Sequence, residues 1–302
     1  MDMSNIMPLG RYMQIVVNVI VLAALYSLIC CGYVLIYRVS RVLNLAHGEL
    51  MVLGGYFLFS AALWLGSHPV PAFITACIIS IVLGFLVYFF LMRYTAGKSV
   101  FAAVLVTVSL GILLRGLITL IWTAQNFHPL EKLGMHNTSH TLMKGAVVST
   151  FGIVMVVSAV ILYLGLFLCL KFTRWGLRMR AVGENPLLAS QRGIELHKFY
   201  ALSWGVAVFT GGFAGMIQSC DSGLELNMSI IGLKAFPVVL VGGLDSLAGV
   251  IPGALIVALA EILAINFINP EISEAAPFFV LLGMLLIRPW GLFGTKEELD
   301  RV

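Results

Sequence analysis

Two charged residues lie inside long apolar stretches of this sequence, where a charge is unfavourable unless it has a partner. Arg115 lies within the run 110–117, and Glu261 lies within 258–263. Each would cost about 2.5–3.5 kcal/mol at the centre of a bilayer if it faced lipid. Both are therefore expected to face the protein interior or water, as buried structural partners or as part of a pathway. The sequence leaves open whether they pair with each other.

A second polar group, Asn44, His47 and Glu49, stands where the apolar run 48–66 begins. His47 and Glu49 have the H-x-E spacing of zinc deaminases, but no P-C-x-x-C accompanies them. The motifs H-E-x-x-H and G-x-S-x-G are also absent from the sequence. We therefore expect neither a catalytic nor a metal site. These polar side chains either extend toward lipid headgroups or form a gate at the inner mouth.

One short stretch imitates a nucleotide site. Gly97-Lys98-Ser99 ends like a phosphate-binding loop, but Met92 occupies the position five residues earlier where that loop requires glycine. The sequence predicts no nucleotide site and no cofactor bound by this chain.

The longest polar segment, 171–198, contains the signals of a short helix. Asn185 is a favourable N-cap, Pro186 suits the first helical position, and Gly193 suits the residue just past the end. A helix over 186–192 would be about 10 Å long, too short to cross a bilayer. The segment carries six basic and two acidic residues. It is expected to lie outside the membrane, where a soluble partner could bind it.

The composition sets the class of protein. The chain has 302 residues, of which 60% are hydrophobic and 11% are charged. A soluble domain is nearer to a quarter charged, and the length of the apolar runs favours helices over barrel strands. The sequence therefore predicts an all-α integral membrane protein, a polytopic helix bundle. The clear apolar runs are 14–37, 48–66, 71–92, 99–123, 148–170 and 199–220.

The remaining apolar region, 235–288, is interrupted by glycine and proline and predicts short, broken or tilted helices. Eight or nine spans result. Lys and Arg concentrate in 38–47, 93–98 and 171–198, and at the C-terminal end in Arg288, Lys296 and Arg301. Because cytoplasmic loops are enriched in these residues, we expect a periplasmic N-terminus and a cytoplasmic C-terminus. The net charge of +4 is explained by this topology and does not indicate nucleic-acid binding.

Four segments, taken together, resemble one family. The sequence reads L-N-L-A-H-G-E-L-M-V-L-G-G-Y over 43–56 and R-M-R-A-V-G-E-N-P over 178–186. It reads V-G-G-L-D-S-L-A-G over 241–249 and R-P-W-G-L-F-G over 288–294. In this order they resemble the permease subunits of bacterial branched-chain amino acid ABC transporters of the LivH type. The resemblance extends over nearly the whole chain.

The resemblance implies a single transmembrane permease domain, 1–302, that is not itself an enzyme and lies in the bacterial inner membrane. It implies that 171–198 is a cytoplasmic coupling loop whose helix docks on an ATPase. The residues that it assigns to this coupling helix are Arg180, Glu184, Asn185, Pro186, Ala189 and Gly193. The more widespread importer motif E-A-A-x-x-x-G is met only by Ala189 and Gly193, which leaves the individual docking contacts open.

The family further implies a second, homologous permease, two ATPase subunits that bind ATP and Mg²⁺, and a periplasmic substrate-binding protein. Two alternatives stay open at this point. The chain could be an ion-coupled secondary transporter that uses Arg115 and Glu261 as a relay, or an ABC permease for urea or short-chain amides. An integral membrane enzyme lacks support, because the sequence offers no nucleophile–base or metal constellation.

Overall fold

A computed structural model of the chain describes residues 3–95, 99–142 and 145–295, with side chains from Gly10 onward. Gly97 and Lys98 of the phosphate-loop imitation, and Lys296 and Arg301 at the C-terminal end, lie outside the described residues. The helices are α1 (Met3–Ser40), α2 (His47–Leu65), α3 (Pro69–Phe90), α4 (Val100–Trp122), α5 (Pro129–Lys132), α6 (Thr150–Phe172), α7 (Arg174–Glu184), α8 (Pro186–Gln191), α9 (Leu196–Ser222), α10 (Ser229–Gly242), α11 (Leu247–Phe267), α12 (Pro270–Ser273) and α13 (Ala276–Ile287). The strands β1 (Ser139–Thr141) and β2 (Val147–Ser149) form an antiparallel hairpin.

Helices α1 and α9 form the centre of the bundle. In the most apolar part of each helix, 83% of α1 and 72% of α9 is buried, against 17% of α6. Glycines allow α2 to approach α9 until their backbones touch. A Cβ added at Gly215 would overlap the carbonyl oxygen of Met51, and one added at Gly54 would overlap the backbone of Gly212. The core is therefore built on α1 and α9, and α6 lies at its edge.

One face of the bundle carries the hairpin. Gln14 Nε2 of α1 donates a hydrogen bond to the Val147 carbonyl at 3.0 Å. Asp221, near the end of α9, accepts a hydrogen bond from Ser149 Oγ at 2.6 Å. We call this side of the bundle the hairpin face. It comprises the beginning of α1, the hairpin and the end of α9.

The opposite side carries the polar segment with α7 and α8. Arg41 Nε, just after α1, donates to the Gly183 carbonyl of α7 at 3.3 Å. Thr295 Oγ1 donates to Asp245 Oδ2 at 2.9 Å, and Asp245 shares a cavity with Tyr37 near the end of α1. We call this side the basic face. The first and last described parts of the chain therefore lie on opposite faces.

Seven helices in the described part, α1 to α4, α6, α9 and α11, are long and apolar enough to cross a membrane. Two shorter apolar segments, Leu226–Gly242 and Ala276–Ile287, contain α10 and α13. These are short helices of the kind that the interrupted region predicted, although α10 begins at Ser229 rather than near Ala235. The same region also contains α11, a 21-residue helix that continues through Pro252, so the prediction of only short, broken or tilted helices there is wrong. Seven long helices and two shorter apolar segments stand beside the expected eight or nine spans, and the exact number of spans stays a prediction.

Two helices begin deep inside the bundle. The chain before α2 descends from the basic face, and the Leu45 N–H donates to Thr107 Oγ1 at 3.2 Å. Thr107 lies seven residues into α4, which is about 10 Å along that helix. Helix α10 begins at Ser229, whose hydroxyl accepts a hydrogen bond from Arg115. Arg115 lies about 22 Å from the beginning of α4 along that helix. The first turns of α2 and α10 meet there, since a Cβ at Gly48 would lie 2.6 Å from the Ser229 carbonyl oxygen.

Candidate functional site

The short helix α8 begins where the sequence predicts. Asn185 Oδ1 accepts a hydrogen bond from the Leu188 N–H at 3.0 Å, and Pro186 is the first helical residue. Leu187 and Leu188 are 68% and 57% exposed. Two exposed leucines on a capped helix give it an apolar surface that the described part of this chain does not cover.

The end of α8 is also defined by local hydrogen bonds. The Ile194 N–H donates to the Ala189 carbonyl at 3.1 Å, and the Gly193 N–H donates to the Ser190 carbonyl at 2.9 Å. Gly193 has φ +77°, which completes a Schellman motif. Ala189 is buried and holds the helix against the rest of the loop. Both ends of α8 are therefore fixed by hydrogen bonds, so α8 is a defined helix within the loop.

Sequence reasoning missed α7, the eleven-residue helix that joins α6 to α8. Its signal was Thr173, whose Oγ1 accepts a hydrogen bond from the Gly176 N–H at 3.1 Å as an N-cap. Helix α7 packs on the end of α1, because a Cβ at Gly183 would overlap the carbonyl oxygen of Arg38. Together with the hydrogen bond from Arg41, this contact fixes α7 to the spanning bundle.

The other two residues predicted for the coupling helix lie on α7. Arg180 is half-buried near Arg38, and its Nε has no hydrogen-bond partner among the described residues. Glu184, the last residue of α7, is exposed. The six residues thus lie on two consecutive helices and the turn that follows them. Their role in coupling stays a prediction.

The polar cluster at the beginning of α2 is buried, so the interpretation that it extends toward lipid headgroups is wrong. Asn44 is 1% exposed, and its Oδ1 accepts a hydrogen bond from the Ala46 N–H at 3.1 Å. His47 is fully buried, with Nε2 at 3.1 Å from the Ile29 carbonyl. Its ring fills the space left by Gly32, where a Cβ would lie 2.6 Å from the ring. These contacts place the cluster in the packing between α1, α2 and α9.

Arg115 and Glu49 form an ion pair between α4 and α2. Arg115 Nη1 lies 3.3 Å from Glu49 Oε1 and donates to Ser229 Oγ at 3.3 Å. The Arg115 side chain is 47% exposed, whereas Glu49 is 13% exposed. The pair therefore lies where the first turns of α2 and α10 meet. The Arg115 side chain is about half exposed there, because the described chain does not cover it.

Glu261 has a different partner, so Arg115 and Glu261 do not pair with each other. Lys234 Nζ on α10 lies 2.7 Å from Glu261 Oε1 on α11, and the Tyr26 hydroxyl donates to Glu261 Oε2 at 2.5 Å. Lys234 and Glu261 are 9% and 6% exposed. Sequence reasoning missed Lys234, although a single cation in one apolar helix and a single anion in the next are the signal of such a pair.

The family described as "Branched-chain amino acid transport system / permease component" matches residues 15–287. The chain belongs to this family. The permease is 26% identical to the high-affinity branched-chain amino acid transport system permease protein BraD of Pseudomonas aeruginosa, over 95% of this chain and 97% of BraD. It is also 26% identical to LivH of Escherichia coli K12, over 95% of this chain and 96% of LivH.

A third relative is similar over nearly the same extent. The permease is 25% identical to the probable LivH of Methanocaldococcus jannaschii, over 97% of this chain and 96% of that protein. No solved structure is significantly similar to the permease. The family and the apolar helices identify a multi-pass membrane transport protein of the LivH type.

A cavity of about 450 Å³ opens on the hairpin face of this permease. It lies between α1, α9, α10, α11 and the hairpin, and Lys234, Glu261 and Tyr26 are among its lining residues. We call it the hairpin-side cavity. Among the described residues, no group of three or more His, Cys, Asp or Glu side chains is placed to hold a metal ion.

Proposed function

We propose that this permease carries branched-chain amino acids inward across the bacterial inner membrane, with energy from ATP hydrolysed by separate ATPase subunits. The observation that carries the proposal is α8, a helix capped at both ends that presents exposed Leu187 and Leu188 on the basic face. A rigid helix transmits a displacement better than a flexible loop does. Its packing through α7 onto the end of α1 gives that displacement a route to the centre of the bundle.

The proposed complex contains a second, homologous permease, two ATPases that bind ATP and Mg²⁺, and a periplasmic substrate-binding protein. The basic face is cytoplasmic in this proposal, because Lys and Arg are enriched on the cytoplasmic side of membrane proteins. The N-terminus is then periplasmic and the C-terminus cytoplasmic. Two relatives support the assembly, since BraD and the LivH of Escherichia coli are each called the permease protein of a transport system.

The uncovered side of α4 supports the second permease subunit. Ile112 and Leu120 are 71% and 81% exposed, and Arg115 on the same helix is 47% exposed. An arginine that faced lipid near the middle of a span would cost about 2.5–3.5 kcal/mol. We therefore place the second permease against α4 near the Arg115–Glu49 pair.

The test is a variant that weakens α8 without touching the spanning helices. In the complete transporter, Asn185→Gly together with Pro186→Gly should abolish uptake while ATP hydrolysis continues and membrane insertion stays normal. Gln191→Ala, on the same exposed helix, keeps both caps and is the matched control. Normal uptake by the double-glycine variant would remove the coupling role of α8.

An ion-coupled transporter is the second candidate, and the buried Lys234–Glu261 pair is the observation that favours it. A carrier of that kind needs no ATPase. Vesicles that contain this chain alone should take up no leucine under an ion gradient if the ATP-driven proposal is correct. Uptake under those conditions would favour the ion-coupled transporter.

A further inference from the structure

The charged pair below the hairpin-side cavity is arranged to receive a ligand that carries both charges. Lys234 Nζ lies 2.7 Å from Glu261 Oε1, and both residues line the cavity. An ammonium group has three N–H donors, and among the described residues Lys234 makes one hydrogen bond. Each Glu261 oxygen accepts one hydrogen bond here and can accept a second. Hydrogen-bonding capacity of both signs therefore remains at one place.

Apolar side chains form just over half of the hairpin-side cavity wall, and Asn18, Ser149, Gln218 and Asp221 also line it; Asp221 already accepts hydrogen bonds from Asn137 and Ser149. Val21, Leu25, Ile231 and Ile262 surround the space above the charged pair. At about 450 Å³ the cavity falls within the size range of small-molecule sites, roughly 300–1,000 Å³. A few placed polar groups in an apolar cavity are the usual composition of such a site.

We propose that the hairpin-side cavity binds the zwitterionic form of an aliphatic α-amino acid. The substrate carboxylate accepts hydrogen bonds from Lys234, the substrate ammonium donates to Glu261, and the aliphatic side chain contacts the apolar walls. The two substrate charges are adjacent, as are the two protein charges, so the four alternate in sign. Bringing charged groups out of water is unfavourable unless each is paired and hydrogen-bonded, and this arrangement pairs all four.

This inference rests on the proposed transport function and gives it a substrate site within the permease. Urea and short-chain amides have no carboxylate for Lys234 and no ammonium for Glu261. The cavity therefore favours amino acids over amides, and it gives the permease a substrate preference of its own. The cavity opens on the hairpin face, the side from which the proposed importer receives its substrate.

The experiment measures binding of radiolabelled leucine to the full-length permease in lipid nanodiscs. Leucinamide, which lacks the carboxylate, and propionamide, which lacks both charges, are the competitors. We expect each to compete at least about tenfold more weakly than leucine, because neither supplies a carboxylate to the remaining N–H donors of Lys234. Equal competition by leucine and propionamide would overturn the proposal.

Two variants locate the site. Ile231→Phe fills the cavity without changing the charged pair, and Ile230→Phe is its control, because Ile230 is 40% exposed and does not line the cavity. Lys234→Met removes the cation, with Lys132→Met, at the exposed end of α5 and outside the cavity, as its control. Leucine binding should fall at least about tenfold in Ile231→Phe and Lys234→Met and stay unchanged in both controls. Wild-type binding by folded Ile231→Phe would overturn the proposal even if Lys234→Met failed to fold.

Failure of this site can be distinguished from failure of the transport proposal. Suppose that the complete wild-type transporter shows ATP-driven leucine uptake, and that Ile231→Phe binds and transports leucine as the wild type does. The proposed binding site in the cavity is then wrong, whereas the transport function stands. If the double-glycine variant of α8 transports normally, the coupling proposal fails, whereas leucine binding in nanodiscs still tests the cavity.

Discussion

Replacing Gly215 with alanine should destabilise the permease, because α9 and α2 touch through their backbones at this position. The added Cβ would overlap the carbonyl oxygen of Met51, and a backbone atom cannot turn aside as the end of a side chain can. Gly165 on α6 provides the matched control. Nothing lies within 4 Å of a Cβ added there.

The expected size of the effect follows from this comparison. Both substitutions gain up to about 1 kcal/mol in helix propensity, because alanine replaces glycine inside a helix. Only Gly215→Ala also incurs overpacking, which typically costs about 1–3 kcal/mol. The two variants should therefore differ by about 1–3 kcal/mol in the free energy of unfolding. At roughly 2–4 °C per kcal/mol, the Tm of Gly215→Ala should lie about 2–12 °C below that of Gly165→Ala.

Thermal unfolding in detergent, followed by tryptophan fluorescence, measures this difference. Trp204 is fully buried on α9 and reports directly on the helix that is perturbed. Membrane insertion and expression of both variants should be normal. Equal Tm values for Gly215→Ala and Gly165→Ala would contradict the close contact of α2 with α9, and with it the packing argument for the centre of the bundle.

Two further predictions concern polar contacts. Asp221→Ala should speed limited proteolysis of the loop 124–147, because Asp221 Oδ1 accepts hydrogen bonds from Asn137 Nδ2 at 2.9 Å and Ser149 Oγ at 2.6 Å. The control Asp221→Asn keeps an acceptor, so its loop should be cleaved more slowly than that of Asp221→Ala. Equal cleavage rates for the two variants would contradict this anchoring role. Arg115→Glu should lower the yield of folded permease in size-exclusion chromatography, because it places a second carboxylate beside Glu49. Adding Glu49→Arg restores opposite charges and should recover much of the lost yield. No recovery in this charge-swapped double variant would argue against the ion pair.

Features that depend on neighbouring residues in the chain could be predicted from the sequence. Asn185, Pro186 and Gly193 predict the bounds of α8 to within one residue, because capping hydrogen bonds join residues only a few positions apart. The six clear apolar runs likewise predict six of the seven long helices, since a bilayer requires about 20 apolar residues of each. Helix α7 was missed because its glycines and its mixed polar surface hide the helical pattern.

Features that depend on how helices pack could not be predicted in this way. The sequence indicates that Arg115 and Glu261 need partners, but not that Glu49 and Lys234 supply them. The members of each pair are separated by tens of residues and become neighbours only where two helices cross.

The sequence by itself determined the class of protein, the positions of six of the seven long helices and the capped helix α8. The tertiary structure decided the depth at which α2 and α10 begin, the burial of His47 and the cavity above the Lys234–Glu261 pair. The physical reason is the range of the interactions. Caps and apolar length act along one segment, whereas charge pairing and backbone contact at Gly215 require several helices to be packed together.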